Sequence, residues 1–207
     1  MRPDVFFVFL EKRVGLFSSL ADISHVCNVC WSLVILDFAH QHDALLQTLW
    51  ERAMSANAET VTFEAAIQLV QVELYANASG IVLQSPVPPA LRQRMVKAAG
   101  EITPSNNSRS EGEYSELLNA LGFAHEREVS PFAADGKAGS MLAIDMACSA
   151  RKIAIEFDGR FHYLSDGREN GRTVAKRRLL ERLGWKVVNI PYQDDRLMES
   201  RSFLEKN

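Results

Sequence analysis

The stretch KIAIEFDG, Lys152 to Gly159, alternates with a period of two, and this alternation restricts the C-terminal half more than any other feature of the chain. Successive side chains of a strand point to opposite faces, so Ile153, Ile155 and Phe157 take one face and Ala154, Glu156 and Asp158 take the other. Two carboxylates therefore share a face. The preceding run SMLAIDMAC reads as a second strand, and the short SARK connection makes the two strands antiparallel neighbours. Asp145 then lies with Ala143 and Ala147, and three carboxylates converge near one sheet edge.

A cationic helix follows, from about Gly171 to Leu183, and then the strand WKVVNIPY. At about 100° per residue, Ala175, Leu179, Leu180 and Leu183 define the buried arc of this helix. Arg172 and Lys176 fall inside that arc, whereas Arg177, Arg178 and Arg182 lie on the outer arc with Glu181. A cation aimed at a core requires a partner, and the acids of the facing sheet supply one. Two readings stay open. One is a structural ion-pair network at the first turn of the helix; the other is an active site in which carboxylates hold Mg²⁺ and a lysine steadies the attacking water or the phosphate. A helix in EYSELLNALG, stopped by Gly122, and a strand in FAHEREV complete an αβββαβ order.

The other half has a different rhythm. From Asp22 to about Ala99 the apolar residues recur at three and four, in DISHVCNVCWSLVILD, HDALLQTLWERAM and TFEAAIQLVQVELYAN. Asp22 or Ser24 is placed to cap the first helix; Ala44, Leu45, Leu49, Trp50, Ala53 and Met54 line one side of the second. Pro88 and Pro89 fit the first turn of a closing helix through Leu91, Met95 and Val96. A shift of about forty residues lays Cys27, Val29, Cys30 and Val34 over Ile67, Leu69, Val70 and Leu74, a weak echo of a helix-pair repeat. Proline and small polar residues from Thr103 to Gly112 break the two halves apart. The expected division is a helical repeat segment over 1–100, a linker over 101–112 and an α+β domain over 113–207.

Composition narrows the class. With 47% hydrophobic and 24% charged residues the chain is ordinary for a soluble globular protein. No stretch approaches the ~18 uncharged apolar residues of a membrane span. The opening MRPDVFFVFLEKR lacks the marks of a secretory or transit leader, so a targeting segment is expected to be missing or already removed. Three cysteines make no disulfide framework; Cys27 and Cys30 have zinc-knuckle spacing, but both fall on the apolar stripe of a helix and read as core. The net charge of −3 divides unevenly: residues 151–207 carry 13 Lys+Arg against 9 Asp+Glu, or +4, leaving −7 for residues 1–150. A local basic cluster supports phosphate contact whatever the total.

The segments IAIEFDGRFHY, LSDGRE and NGRTVAKRRLLERLGWKVVNIPY resemble the RAP domain, a module named for RNA binding and abundance in apicomplexans that also occurs in organellar RNA proteins of algae, plants and animals. The resemblance covers about Lys152 to Leu204. More loosely, VCNVCWSLVIL, LLQTLWERAM and FEAAIQLVQVELY resemble the helix-pair repeats that precede this domain in FAST kinase-like and octotricopeptide-repeat proteins. The resemblance implies a fold like the PD-(D/E)xK nucleases of the very-short-patch-repair type. On that pattern Asp145 matches the first acid and Glu156 the second. Asp158 stands where such enzymes carry lysine, and Tyr114, flanked by Glu113 and Glu116, stands where the first helix often carries glutamate. An acid in place of the lysine removes a positive charge expected at the nucleophile, although Lys176 is placed to substitute from the helix.

The expectation is an organellar RNA-binding protein, mitochondrial first and chloroplast second, that stabilises or organises RNA. Ribosomal RNA in a mitochondrial ribosome is the favoured setting, with ribosomal or other ribonucleoprotein neighbours. Arg160, Arg168, Arg172, Lys176, Arg177, Arg178, Arg182 and Lys186 are the candidate phosphate contacts, and Phe161, His162, Tyr163 and Tyr192 offer the candidate stacking faces. Core packing is the expectation for Phe161 and Trp185, and a hydrogen bond to Asp158 is an alternative role for His162. No cofactor is expected. The rival is a Mg²⁺-dependent endoribonuclease using Asp145, Glu156, Asp158 and Lys176, with Asp145 and Glu156 on the metal; a third possibility is a protein-binding scaffold whose basic helix meets an acidic partner.

Overall fold

The computed structural model describes residues 3–15, 17, 22–101, 109–132 and 142–191. The chain divides into two compact units, Met1–Ile102 and Thr103–Asn207.

The described part of the first unit contains α1 (Pro3–Glu11), α2 (Ile23–Ile35), α3 (Asp43–Met54), α4 (Phe63–Ala78) and α5 (Pro89–Glu101). Asp22 caps α2 by accepting the Ser24 N–H at 2.8 Å, and Thr62 caps α4 by accepting the Ala65 N–H at 3.2 Å. Each cap satisfies a donor that the helix itself leaves open. The core consists of Val26, Cys27, Cys30 and Leu33 from α2, Leu45, Leu46, Leu49 and Trp50 from α3, Leu69 and Val72 from α4, and Leu91 and Met95 from α5. Ala44 and Val96, expected inward, are exposed. In α5 the buried arc runs through Leu91, Met95, Ala98 and Ala99, which leaves Val96 about 110° from its centre. Helix α2 packs against both α3 and α4. Two hydrogen bonds between α2 and α4 join residues forty positions apart: Gln68 Nε2 donates to Asn28 Oδ1 at 2.6 Å, and Trp31 Nε1 to Gln71 Oε1 at 2.5 Å. Burial pushes the Cys27 thiol up to about 12 and raises Cys30 as well, as expected of core thiols. No helix among the described residues is long and apolar enough to cross a membrane.

The second unit is α+β. Helix α6 (Arg109–Ala120) is followed by β1 (Glu126–Val129), β2 (Ile144–Cys148), β3 (Ile153–Asp158), α7 (Gly171–Arg182) and β4 (Lys186–Pro191). The last four residues of the segment expected as linker, Arg109 to Gly112, are thus helical. The four strands form one sheet in the order β1-β2-β3-β4, antiparallel except for the parallel β3–β4 pair that α7 connects. At the β2–β3 connection a 3₁₀ turn, Ser149–Arg151, ends in Lys152 with φ 52°. Gly184 (φ 82°) turns the chain from α7 into β4, where its missing Cβ matters.

Alternation on β3 sets the two layers. The Tyr114 ring lies 4.9 Å from Phe157, placing α6 on the Phe157 face, and Lys176 reaches Glu156, placing α7 on the opposite face. Ile144, Ala147, Ala154, Leu180 and Trp185 form a buried apolar cluster with Val129, Leu183 and Val187 against it. This small core fixes α7 at one end, and the acids occupy the other.

Candidate nucleic-acid interface

Strand register brings the acids together. Met146 pairs with Ile155 and Ala147 with Ala154, so Asp145 stands opposite Glu156; Glu156 in turn pairs with Asn189, and Asp158 with Pro191. On the other side of β2, the pairs Arg127–Met146 and Val129–Ile144 place Glu128 opposite Asp145. A row of Glu128, Asp145, Glu156 and Asn189 therefore crosses all four strands. Glu128 has a φ of 52°, a left-handed conformation that costs a non-glycine residue about 1–2 kcal/mol. Sequence reading missed this residue.

Each acid in the row has a different environment. Glu156 is 4% exposed; its Oε2 accepts from Lys176 Nζ at 2.5 Å, while its Oε1 is buried with no hydrogen-bond partner. Burial pushes its carboxyl up to about 7, and the nearby Lys176 opposes that shift while Asp145 and Asp158 add to it. Lys176 also donates to the Ala143 carbonyl at 2.6 Å, which ties α7 to the chain leading into β2. Asp145 Oδ2 accepts the Phe157 N–H at 2.7 Å. Burial raises the Glu128 carboxyl, with Asp145 and Glu111 acting in the same direction.

Asp158 is buried but well supplied. Its Oδ2 accepts from Asn189 Nδ2 at 2.5 Å and its Oδ1 from His162 Nδ1 at 2.8 Å. That bond raises the His162 imidazole above its ordinary 6.5. Thr173 Oγ1 lies 3.1 Å from the same Nδ1, and the Thr173 N–H caps α7 onto Asn170 Oδ1 at 3.0 Å. The sheet, the loop and the first turn of α7 thus meet at one hydrogen-bonded node.

Of the two cations expected to point inward, Lys176 does so. Arg172, expected to point inward beside it, is exposed. It lies in the first turn, where the Asn170 cap and the His162–Asp158 bond occupy the inner side of the helix start. Arg177 is half-buried against Glu169 at 2.5 Å, and Arg178 is half-buried too, so neither lies fully on the outer arc. Arg168 is exposed and paired with Asp166 at 2.7 Å. Arg160, Arg182 and Lys186 are exposed. Tyr163 is half-buried, and Tyr192 lies outside the described residues. Trp185 is core, with Lys152 Nζ 4.8 Å from its ring centre. Phe161, expected in the core, is instead 85% exposed. It sits in a single 3₁₀ turn, Arg160–His162, in which the His162 ring turns inward and Phe161 turns away.

The acid row does not suit a divalent ion as arranged. The Lys176 ammonium sits on Glu156 Oε2, Asp145 Oδ2 is taken by a backbone N–H, and Asp158 is held by Asn189 and His162. No three His, Cys, Asp or Glu side chains among the described residues are placed to ligate one ion. The acids hold α7 and the loop in position, and the cations that remain outside present positive charge to solvent.

Most of β3, the aromatic-histidine turn that follows it, the capped NGRT start of α7, the rest of that cationic helix and β4 make up the described part of the segment that the family comparison picks out. The family model of the RAP domain matches residues 155–206, so the chain carries a RAP domain in that segment.

Proposed function

We propose that this chain is an organellar RNA-binding protein that stabilises or organises RNA through its C-terminal unit, with mitochondrial ribosomal RNA as the target. The RAP match over the most basic part of the chain is the observation that carries the RNA-binding reading. The geometry supports it in a specific way: Lys176 is occupied by the acidic face, whereas Arg160, Arg172, Arg182 and Lys186 are exposed. Phosphate contacts of this kind position RNA without selecting sequence, which suits a protein that holds a folded transcript. In the N-terminal unit, the hydrogen bonds joining residues forty apart support a reading as two stacked helix pairs, a scaffold of the helical-repeat type. The αβββαβ order supports a nuclease-like fold, and the engagement of Glu156, Asp145 and Asp158 by protein groups favours its use for binding.

The test is equilibrium binding of the full chain to single-stranded RNA across a salt series. Four phosphate contacts give a log–log slope of about −3. Absence of binding at low salt, or affinity indifferent to salt, refutes the reading. Labelled RNA incubated with Mg²⁺ or Mn²⁺ beside Glu156→Ala separates the nuclease alternative, because cleavage lost only in the variant would make the chain an enzyme rather than an RNA binder alone. Crosslinking that recovers peptides and no nucleotides would instead favour the scaffold.

A further inference from the structure

We infer that Phe161 is a stacking platform for one unpaired nucleobase, which makes single-stranded RNA the ligand class of this surface; the inference rests on the RNA-binding reading above. Phe161 is the most exposed large hydrophobic side chain among the described residues, at 85%. Leaving such a ring in water forgoes the stabilisation that burial would supply. Its backbone is nevertheless fixed. The His162 N–H donates to the Gly159 carbonyl at 2.9 Å, Asn170 Nδ2 donates to the Phe161 carbonyl at 2.7 Å, and the Asn170 N–H donates to the His162 carbonyl at 2.7 Å. The next ring, His162, is anchored inward on Asp158. The turn therefore holds Phe161 outward on an ordered base, so little conformational entropy is lost when a ligand settles on it.

The surroundings identify the ligand as a polyanion with flat groups. The Arg160 guanidinium lies 5.6 Å from the centre of the Phe161 ring. Arg172 is exposed two residues beyond Asn170, the residue that holds the Phe161 carbonyl. The nearby acids are already engaged: Asp158 by His162 and Asn189, Asp166 by Arg168, and Glu169 by Arg177. Positive charge beside a bare aromatic face is the arrangement that takes a stacked base and its flanking phosphates. Within the loop, Leu164 is the one other exposed large hydrophobic, too little to form the apolar patch of several hundred Å² that a protein partner would bury. A base inside an A-form duplex has no free face to offer, so the platform selects unpaired RNA.

The experiment compares wild-type full chain with Phe161→Ala and Phe161→Trp, using a labelled oligouridylate and a blunt RNA duplex of matched length at two salt concentrations. Phe161→Ala should weaken oligouridylate binding roughly 5- to 150-fold, the loss of one base–aromatic stack, with the salt slope unchanged. Phe161→Trp should retain affinity, and duplex binding should be the same for all three proteins. Since the ring contributes little to the core, the melting temperature of both variants should match the wild type. An oligouridylate affinity unchanged in Phe161→Ala overturns the inference, while an equal loss on duplex overturns the choice of unpaired RNA. Failure of the wild type to bind either probe refutes the RNA-binding reading itself, and the inference with it.

Discussion

In the N-terminal unit the one polar side chain buried among the described residues is His42, bonded to Glu11 at 2.8 Å, whereas the C-terminal unit buries Ser115, Glu156, Asp158 and Thr173. The difference follows from what each interior has to hold. Helices satisfy their own backbone groups, so α2 to α5 need only matched apolar surfaces, each buried Leu contributing about 1.5–3 kcal/mol. Helix α7 instead lies over a sheet face that carries acids, and it is joined to that face partly by Lys176. A Glu156 carboxyl lifted to about 7 means that the ammonium does not fully offset the cost of burying the charge. An apolar pair would serve stability as well or better. The acids are thus better understood as positional. Lys176 ties α7 to β3 and to the chain entering β2, while Asp158 ties β3 to β4 and to the turn that carries Phe161.

Removing one partner from each interior separates the two modes. Lys176→Met leaves Glu156 buried and unpaired, and at pH 8 it should cost about 3–5 kcal/mol by urea unfolding, with amide exchange accelerated in β2, β3 and α7. The deficit should shrink at pH 5, where the isolated carboxyl takes up a proton. Leu49→Ala creates a cavity in the helical core and should cost about 2–5 kcal/mol at either pH, with faster exchange in α2, α3 and α4. A Leu49→Ala deficit that varied with pH, or a Lys176→Met deficit that did not, would end the distinction.

A pH titration of the wild type sharpens it further. The Glu156 carboxyl is raised in the folded state from an ordinary 4.5 to about 7, so between those values the native protein binds a proton that the unfolded chain has released. Stability therefore falls as pH rises from about 4.5 through about 7, by a loss on the order of 2–3 kcal/mol. His162 acts in the same direction: its raised imidazole adds stability that is present below its ordinary value and lost as pH climbs through the folded one. Glu156→Gln should remove the larger, carboxyl component and leave the histidine component. A variant with the wild-type pH profile would mean that Glu156 is not the group responsible.

Local sequence period made much of this legible. Alternation in IAIEFD placed Glu156 and Asp158 on one face, and the spacing of Lys176 from Ala175 and Leu179 placed it inward. Glu128 escaped because the residues between β1 and β2 are too many for a turn to set their register, so nothing local announces that it faces Asp145. Phe161 was expected in the core although it stood among the stacking candidates, because an isolated aromatic in a turn has no period from which to infer a side, and burial is the usual fate of phenylalanine. Arg172 was misplaced for a different reason. Helical angle gives direction but not depth, and at the first turn the direction of the core is already filled by the Asn170 cap and the Thr173–His162 contact.

That correction yields the smallest effect and the most selective one. If Arg172 were an internal ion-pair member, Arg172→Ala would destabilise the unit as a lesser Lys176→Met, and RNA binding would fall only through unfolding. As an exposed cation it should change stability by less than about 0.5 kcal/mol. Loss of one phosphate contact should then reduce the magnitude of the salt slope on single-stranded RNA by about 0.7. Arg172→Lys should restore the slope, because a point charge suffices for a phosphate that is not gripped in a bidentate fork. A variant that melts early and keeps its slope would place the guanidinium back among the acids, and the partition between a polar interior that positions and an exterior that binds would have to be redrawn around it.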